Sequence, residues 1–148
     1  MKLALLILFF TCSVAFNLQA QTVDDISGIW WSEIKASKIK VELVDGKYIG
    51  TVVYLIPEKY VDGVPQTDRK NPDENLKTRS ILNLQILSGL SYNPATKEWT
   101  GGMIYDPKTG KTYECQVWLE GKDILQLKGF VTGIPALGRK SAWTRTTL

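Results

Sequence analysis

The sequence predicts an all-β chain: an antiparallel up-and-down meander of about eight strands, closed into a small barrel and interrupted by one long loop with a short helix. Three observations predict it. Strand-like runs follow one another from Gly28 to Thr146, and almost every gap between them carries Gly, Pro, Asn or Asp. No stretch except residues 72–78 has helical periodicity. Most connections are short, which makes successive strands antiparallel neighbours. A meander without helices to cover a sheet face has to close on itself.

The first strand is "GIWWSEI" (28–34). In "KIKVELV" (38–44), Ile39, Val41 and Leu43 share one face and Lys38, Lys40 and Glu42 the other. Asp45-Gly46 is a hairpin signal leading into "KYIGTVVYLI" (47–56). A polar segment then runs from Pro57 to about Ser80. Within it Asn71 can cap, Pro72 suits a first helical position, and Asp73 and Glu74 favour the helix dipole, so a short helix is expected over 72–78. A loop this long in a small domain reads as a lid or binding segment, with Tyr54 and Tyr60 placed to pack over a mouth.

"ILNLQILSGL" (81–90) resumes the sheet, with Leu82, Leu84 and Ile86 on one face. "WTGGMIYD" (99–106), "TYECQVWLE" (112–120), "ILQLKGFV" (124–131) and "RKSAWTRT" (139–146) complete it. In the second of these, Tyr113, Cys115, Val117 and Leu119 share the inward parity and Trp118 faces out; Cys115 reads as an inert core thiol. Trp99 and Trp143 are read as core or cavity wall. Thr109-Gly110-Lys111-Thr112 imitates the tail of a phosphate-binding loop, but position 105 is Tyr rather than Gly and a strand follows instead of a helix. Asp106–Lys111 is therefore a hairpin connection, with Pro107 presetting φ and Gly110 accepting a positive one.

The chain opens with Met1-Lys2, an apolar run and a small residue at Ala20, a pattern that predicts a signal peptide over 1–20 cleaved before Gln21, and a single domain over 21–148. Phe9, Phe10 and Thr11 are poor predecessors for lipidation of Cys12. The expected location is the periplasm or outside the cell, with no membrane span after cleavage. Cleavage would leave Cys115 as the one cysteine, and therefore no internal disulfide. The formal charge of +3 would fall to about +2, too mild to argue for a nucleic-acid partner. With no histidine, the chain lacks the usual near-neutral base and the commonest metal ligand; neither a metal nor a cofactor is expected.

"DRKNPDENLKTR", "WTGGMIYDPKTGKTY" and "LQLKGFVTGIPALGRKSAWTR" together resemble the bacterial domain of unknown function family 2147, in motif order and spacing, over nearly all of the chain beyond the leader. Lys77 stands where that family usually has Arg, Asn83 where Gly is common, and Phe130 where Tyr is frequent. The resemblance implies an exported, lipocalin-like (calycin-type) barrel and no agreed biochemical activity. Barrels of that type carry Gly-x-Trp on the first strand, with a basic side chain of the last strand lying across the Trp. Gly28-Ile29-Trp30 and Arg145 match, so Trp30 and Arg145 are expected to form a structural pair that plugs the barrel floor.

The same topology collects "KAS", Pro57–Ser80, "PKTGK" and "TGIPALG" at the other rim. Asp68, Asn71, Arg79, Asp106 and Arg139 fall there and match family motif positions; Tyr113 points its hydroxyl into the cavity or fills the core. Asp68–Arg79 and Asp106–Arg139 are candidate ion pairs, and the rim set either contacts a ligand or orders the loop. Three functions follow: lumen binding of a small apolar or amphipathic ligand, an envelope interaction module using the 57–80 loop to hold a protein partner, and an enzyme with Asp68 or Asp106 as acid or base and Arg79 or Arg139 holding an anion. No paired carboxylates or nucleophile elbow back the last.

Overall fold

In the computed structural model the described residues are 25–148; the expected signal peptide lies outside them. The strands are β1 (Gly28–Trp31), β2 (Ser37–Val44), β3 (Lys47–Leu55), β4 (Tyr60–Val61), β5 (Val64–Pro65), β6 (Gln85–Asn93), β7 (Glu98–Asp106), β8 (Lys111–Glu120), β9 (Ile124–Phe130) and β10 (Arg139–Thr146). Eight of them form a closed barrel in the order β1-β10-β9-β8-β7-β6-β3-β2, every pair antiparallel. The expected meander is therefore the fold, and closure leaves no free sheet edge in the barrel. β4 and β5 form a small hairpin inside the long loop.

Local chemistry moves some element ends. β1 stops at Trp31 because Ser32 turns the chain: its hydroxyl accepts from the backbone N–H groups of Ala36 and Ser37. The helix expected over 72–78 shrinks to one 3-10 turn, Glu74–Leu76. Its cap is Asp73, which accepts from the Asn75 N–H, whereas the Asn71 side chain is committed to the Asp73 N–H and to Asp68. Residues 81–84 form a turn rather than strand, with Asn83 at φ 67°, a left-handed position that Asn tolerates and that accounts for Gly being common there. The inward face of β6 shifts accordingly. Leu84 is buried, Leu82 is only half-buried, and a register shift against β3 lets the neighbours Ile86 and Leu87 both reach the core. Leu43 keeps the phase of Ile39 and Val41 but is exposed, because it lies next to the Asp45-Gly46 turn at the strand's end.

The barrel is packed unevenly. Its closed end is filled by Ile26, Trp30, Val41, Leu90, Trp99 and Val117, with Tyr48 edge-on to Trp99 at 6.2 Å and Tyr92 tilted against it at 4.9 Å. Cys115 is buried beside them, and desolvation pushes its thiol up to about 12, as expected of an inert core cysteine. Trp118 is on the outer face, where the Lys140 ammonium lies 5.5 Å from its ring centroid.

The floor is closed by the expected pair. Trp30 and Arg145 are register partners across the seam between the first and last strands. The guanidinium carbon lies 4.2 Å from the Trp30 ring centroid, and the indole N–H donates to the Ile26 carbonyl at 2.9 Å. Arg145 donates to three carbonyls, Lys122 at 2.7 Å, Ser27 at 3.0 Å and Asp25 at 3.3 Å. Stacking and satisfied donors thus tie the N-terminal lead-in and the β8–β9 turn to one side chain. A Cβ at Gly28 would stand 2.8 Å from Arg145 Nη1, at a φ of 142°, so a side chain there would displace the guanidinium. Trp30→Ala should lower the free energy of unfolding by about 3–5 kcal/mol. Arg145→Lys, which keeps the charge and loses the planar fork, should lower it by about 1–3 kcal/mol. Urea denaturation of the three proteins checks both, and an unchanged Arg145→Lys midpoint would show that charge alone closes the floor.

Candidate functional site

The open end holds a cavity of about 600 Å³. Its apolar walls are Val52 and Leu55 of β3, Ile86 of β6, Ile104 of β7, Leu127 of β9 and Trp143 of β10, together with Phe130 and Ile81. Polar residues are few along the walls, chiefly Tyr113 and Ser141. The mouth is ringed by Ser32, Glu33, Ile34 and Ala36, by Lys59 and Gln66, by residues 106–109, and by Leu137 and Arg139. These belong to the four connections expected at this rim. Trp143 thus forms cavity wall and Trp99 core.

The rim residues divide into two sets. Asp68, Asn71 and Arg79 come together, but not on the cavity. Asp68 is fully buried under the long loop. One carboxylate oxygen accepts from the Tyr105 hydroxyl at 2.7 Å; the other accepts from Asn71 Nδ2 at 2.8 Å, from Arg79 Nε at 2.9 Å and from Arg79 Nη2 at 2.8 Å. Burial by itself would raise the carboxyl's pKa. The hydrogen bonds from Asn71, Tyr105 and Arg79 and the charge of Arg79 outweigh it and hold the group below the ordinary carboxylate range. The Tyr105 hydroxyl is pushed up by burial and by Asp68. Backbone pairing of Asp68 with Arg79 and of Gln66 with Ile81 zips the two limbs of the loop together around this carboxylate. The expected Asp68–Arg79 pair therefore forms, as a latch that orders the loop.

Tyr105 was not expected from the sequence. It sits at the end of β7, with the Arg79 guanidinium 5.6 Å over its ring, and connects the loop to the barrel wall. Simple alternation from Trp99 would give Tyr105 the inward phase, and only the register shift between Trp99 and Gly102 turns its hydroxyl to the loop, so no periodicity signal marks it. A second tie is steric. Gly110 has a φ of 72°, and a Cβ there would come within 1.8 Å of the Lys70 carbonyl oxygen. The "TGK" glycine is thus a seat for the loop backbone rather than part of a phosphate cradle.

Asp106, Tyr113 and Arg139 do line the cavity or its mouth. The expected Asp106–Arg139 pair does not form. Asp106 spends both oxygens within its own turn, accepting from the Lys108 N–H at 2.9 Å and the Thr109 hydroxyl at 3.0 Å. Arg139 is highly exposed and faces Glu33 across the β1–β10 seam at 3.5 Å, a partner that nothing in the sequence singled out. Lys77 pairs with Glu74 on the surface turn and is not part of the cavity lining. Tyr54 faces outward, edge-on to Trp31 at 5.7 Å with Lys38 over both rings, rather than over the mouth.

Asp68→Ala should release the loop, at about 2–3 kcal/mol, below a fully buried pair because Arg79 is partly exposed. Protection from hydrogen exchange over residues 66–81 is the measurement, and unchanged protection would mean the carboxylate orders nothing. The pH dependence follows in sign. The folded pKa is depressed, so the released loop binds the proton more readily, and the latch weakens as pH falls below about 4. The same exchange measurement, made across an acid series, should show residues 66–81 opening before the barrel strands.

The comparisons fit this geometry. No curated protein matches the chain. The solved structure of protein HP1028 from the human pathogen Helicobacter pylori, which belongs to the lipocalin family, is similar, with a TM-score of 0.71 and 21% sequence identity over 83% of this chain and 84% of that one. At that identity the likeness shows the fold, a lipocalin-like barrel. The family model "Uncharacterized protein conserved in bacteria (DUF2147)" matches residues 28–145, from the glycine of the floor motif to the arginine that closes it, and the chain belongs to that family.

Proposed function

We propose that the protein binds a small apolar or amphipathic molecule in the barrel lumen. The observation that carries this reading is the cavity of about 600 Å³, apolar along its walls and open at the loop-rich end. Pockets for small ligands span about 300–1,000 Å³ and combine apolar walls with a few polar groups. Here the polar groups are graded by depth. Tyr113 and Ser141 stand within, while Lys59, Lys108 and Arg139 stand at the mouth. An apolar body inserted toward Trp143 would leave a polar head among the rim cations. The likeness to a lipocalin-family structure supports the same reading.

The enzyme reading is less favoured by this geometry. Asp68 is enclosed by three partners away from the cavity, and Asp106, at the mouth, has both oxygens engaged by its own turn, so neither carboxylate stands free as an acid or base.

Native mass spectrometry of the protein purified gently from its own host should show an excess mass that is lost on denaturation. In parallel, the apolar fluorophore N-phenylnaphthylamine should brighten on entering the lumen. Ser141→Phe, which extends a ring from a cavity-lining position, should weaken uptake roughly tenfold or more. A protein with no excess mass that also excludes the fluorophore would overturn the reading.

A further inference from the structure

The mouth of the barrel carries apolar residues where water would be expected to select polar ones. Val131, Ile134 and Leu137 are 51%, 45% and 71% exposed, and Ile34, across the seam in the first connection, is 58% exposed. The first three are spaced three apart. Two successive turns, closed by Ile134 N–H to Val131 C=O and Leu137 N–H to Ile134 C=O, hold the segment, and Pro135 stiffens it. Ile34 and Leu137 both border the cavity, so this lip is continuous with the lumen. Exposed apolar residues grouped in one place mark an interaction surface rather than ordinary surface scatter.

Charge decides what kind of surface it meets. Lys35 follows Ile34, and Lys128, Arg139 and Lys140 flank the apolar turns; Lys35 and Arg139 are exposed, as is Lys140 on the outer wall, where it stands over Trp118. Among these connections and strand ends Glu33 is the one carboxylate, and it already faces Arg139. Lys59 and Lys108 stand on the far side of the mouth, with Asp106, whose carboxylate is engaged by the Lys108 N–H and the Thr109 hydroxyl. Apolar tips flanked mostly by cations suit the headgroup region of an anionic bilayer, where side chains enter the acyl boundary and lysine and arginine remain with the lipid phosphates.

We infer that the protein docks this mouth onto an anionic membrane surface, so that the lumen opens directly toward the lipid and exchanges an amphiphile with it. The docking stands on the lip and the cations; only its purpose rests on the lumen reading. The opposite end of the barrel is closed by Trp30 and Arg145, which leaves this mouth as the end suited to exchange.

The test is vesicle flotation of the protein as its host processes it. Vesicles of equal parts phosphatidylglycerol and phosphatidylcholine should carry it upward, and pure phosphatidylcholine vesicles should carry much less. Val131→Ser combined with Ile134→Ser alters the lip without touching cavity-lining residues, and should reduce association roughly tenfold. Lys35→Gln with Lys140→Gln should reduce it on the anionic vesicles and little on the neutral ones. Uptake of N-phenylnaphthylamine without vesicles is measured on the same proteins. It should be unchanged in the lip variant, so failure of docking and failure of lumen binding are seen separately. No flotation of the wild type, equal flotation on neutral vesicles, or flotation unaffected by the lip substitutions would each overturn the proposal. A concentration-dependent dimer that the lip substitutions abolish would also overturn it, because a second copy would then be what covers this face.

Discussion

Arg145 lying flat on Trp30 is the contact on which the architecture turns, because it sits at the seam where the first and last strands have to find each other. Every other barrel pairing joins strands that follow one another in the meander. The seam joins strands more than a hundred residues apart in sequence, so its closure carries the largest loss of chain freedom. A side chain that stacks on the buried indole and donates to carbonyls on both sides of it offsets that loss at one place. Gly28 makes the approach possible by having no side chain where the guanidinium rests.

From that plug the interior changes character along the barrel axis. Aromatic and aliphatic side chains interlock at the closed end and stand apart at the open one. The division is consistent with the long loop's attachment. The loop is fastened through Asp68 and Tyr105 to the end of β7, and its backbone lies on Gly110 in the β7–β8 hairpin, so it stands beside the opening instead of collapsing into it. A loop without these ties would be free to fill an apolar hollow with its own side chains.

Much of this was legible in the residues. Alternation in 38–44 and 112–120, turn signals between runs and the scarcity of helical periodicity lead to the barrel, and the Gly-x-Trp and terminal Arg lead to its floor. The Asp68–Arg79 pair was legible because both residues lie in one loop whose ends must meet. The contacts across loops were not. Arg139 meets Glu33 rather than Asp106 because the closed seam brings the β1 turn beside β10, while Asp106 satisfies its own turn first. Simple alternation gives the wrong phase over 81–90 because a left-handed Asn83 and a register shift interrupt the pleat that periodicity assumes. Leu43 shows the reverse error, a correct phase carried past the point where the barrel ends.

Cys115 gives the fold a chemical sense of time. Its thiol is enclosed by the barrel wall and held almost wholly protonated, so oxidants and disulfide partners meet a reactive sulfur only before closure is complete. Two newly made chains that collide can be linked through it, whereas two finished barrels cannot. The interval between synthesis and closure of the seam is therefore the period of oxidative risk, and fast closure protects the chain without requiring the cysteine to be lost.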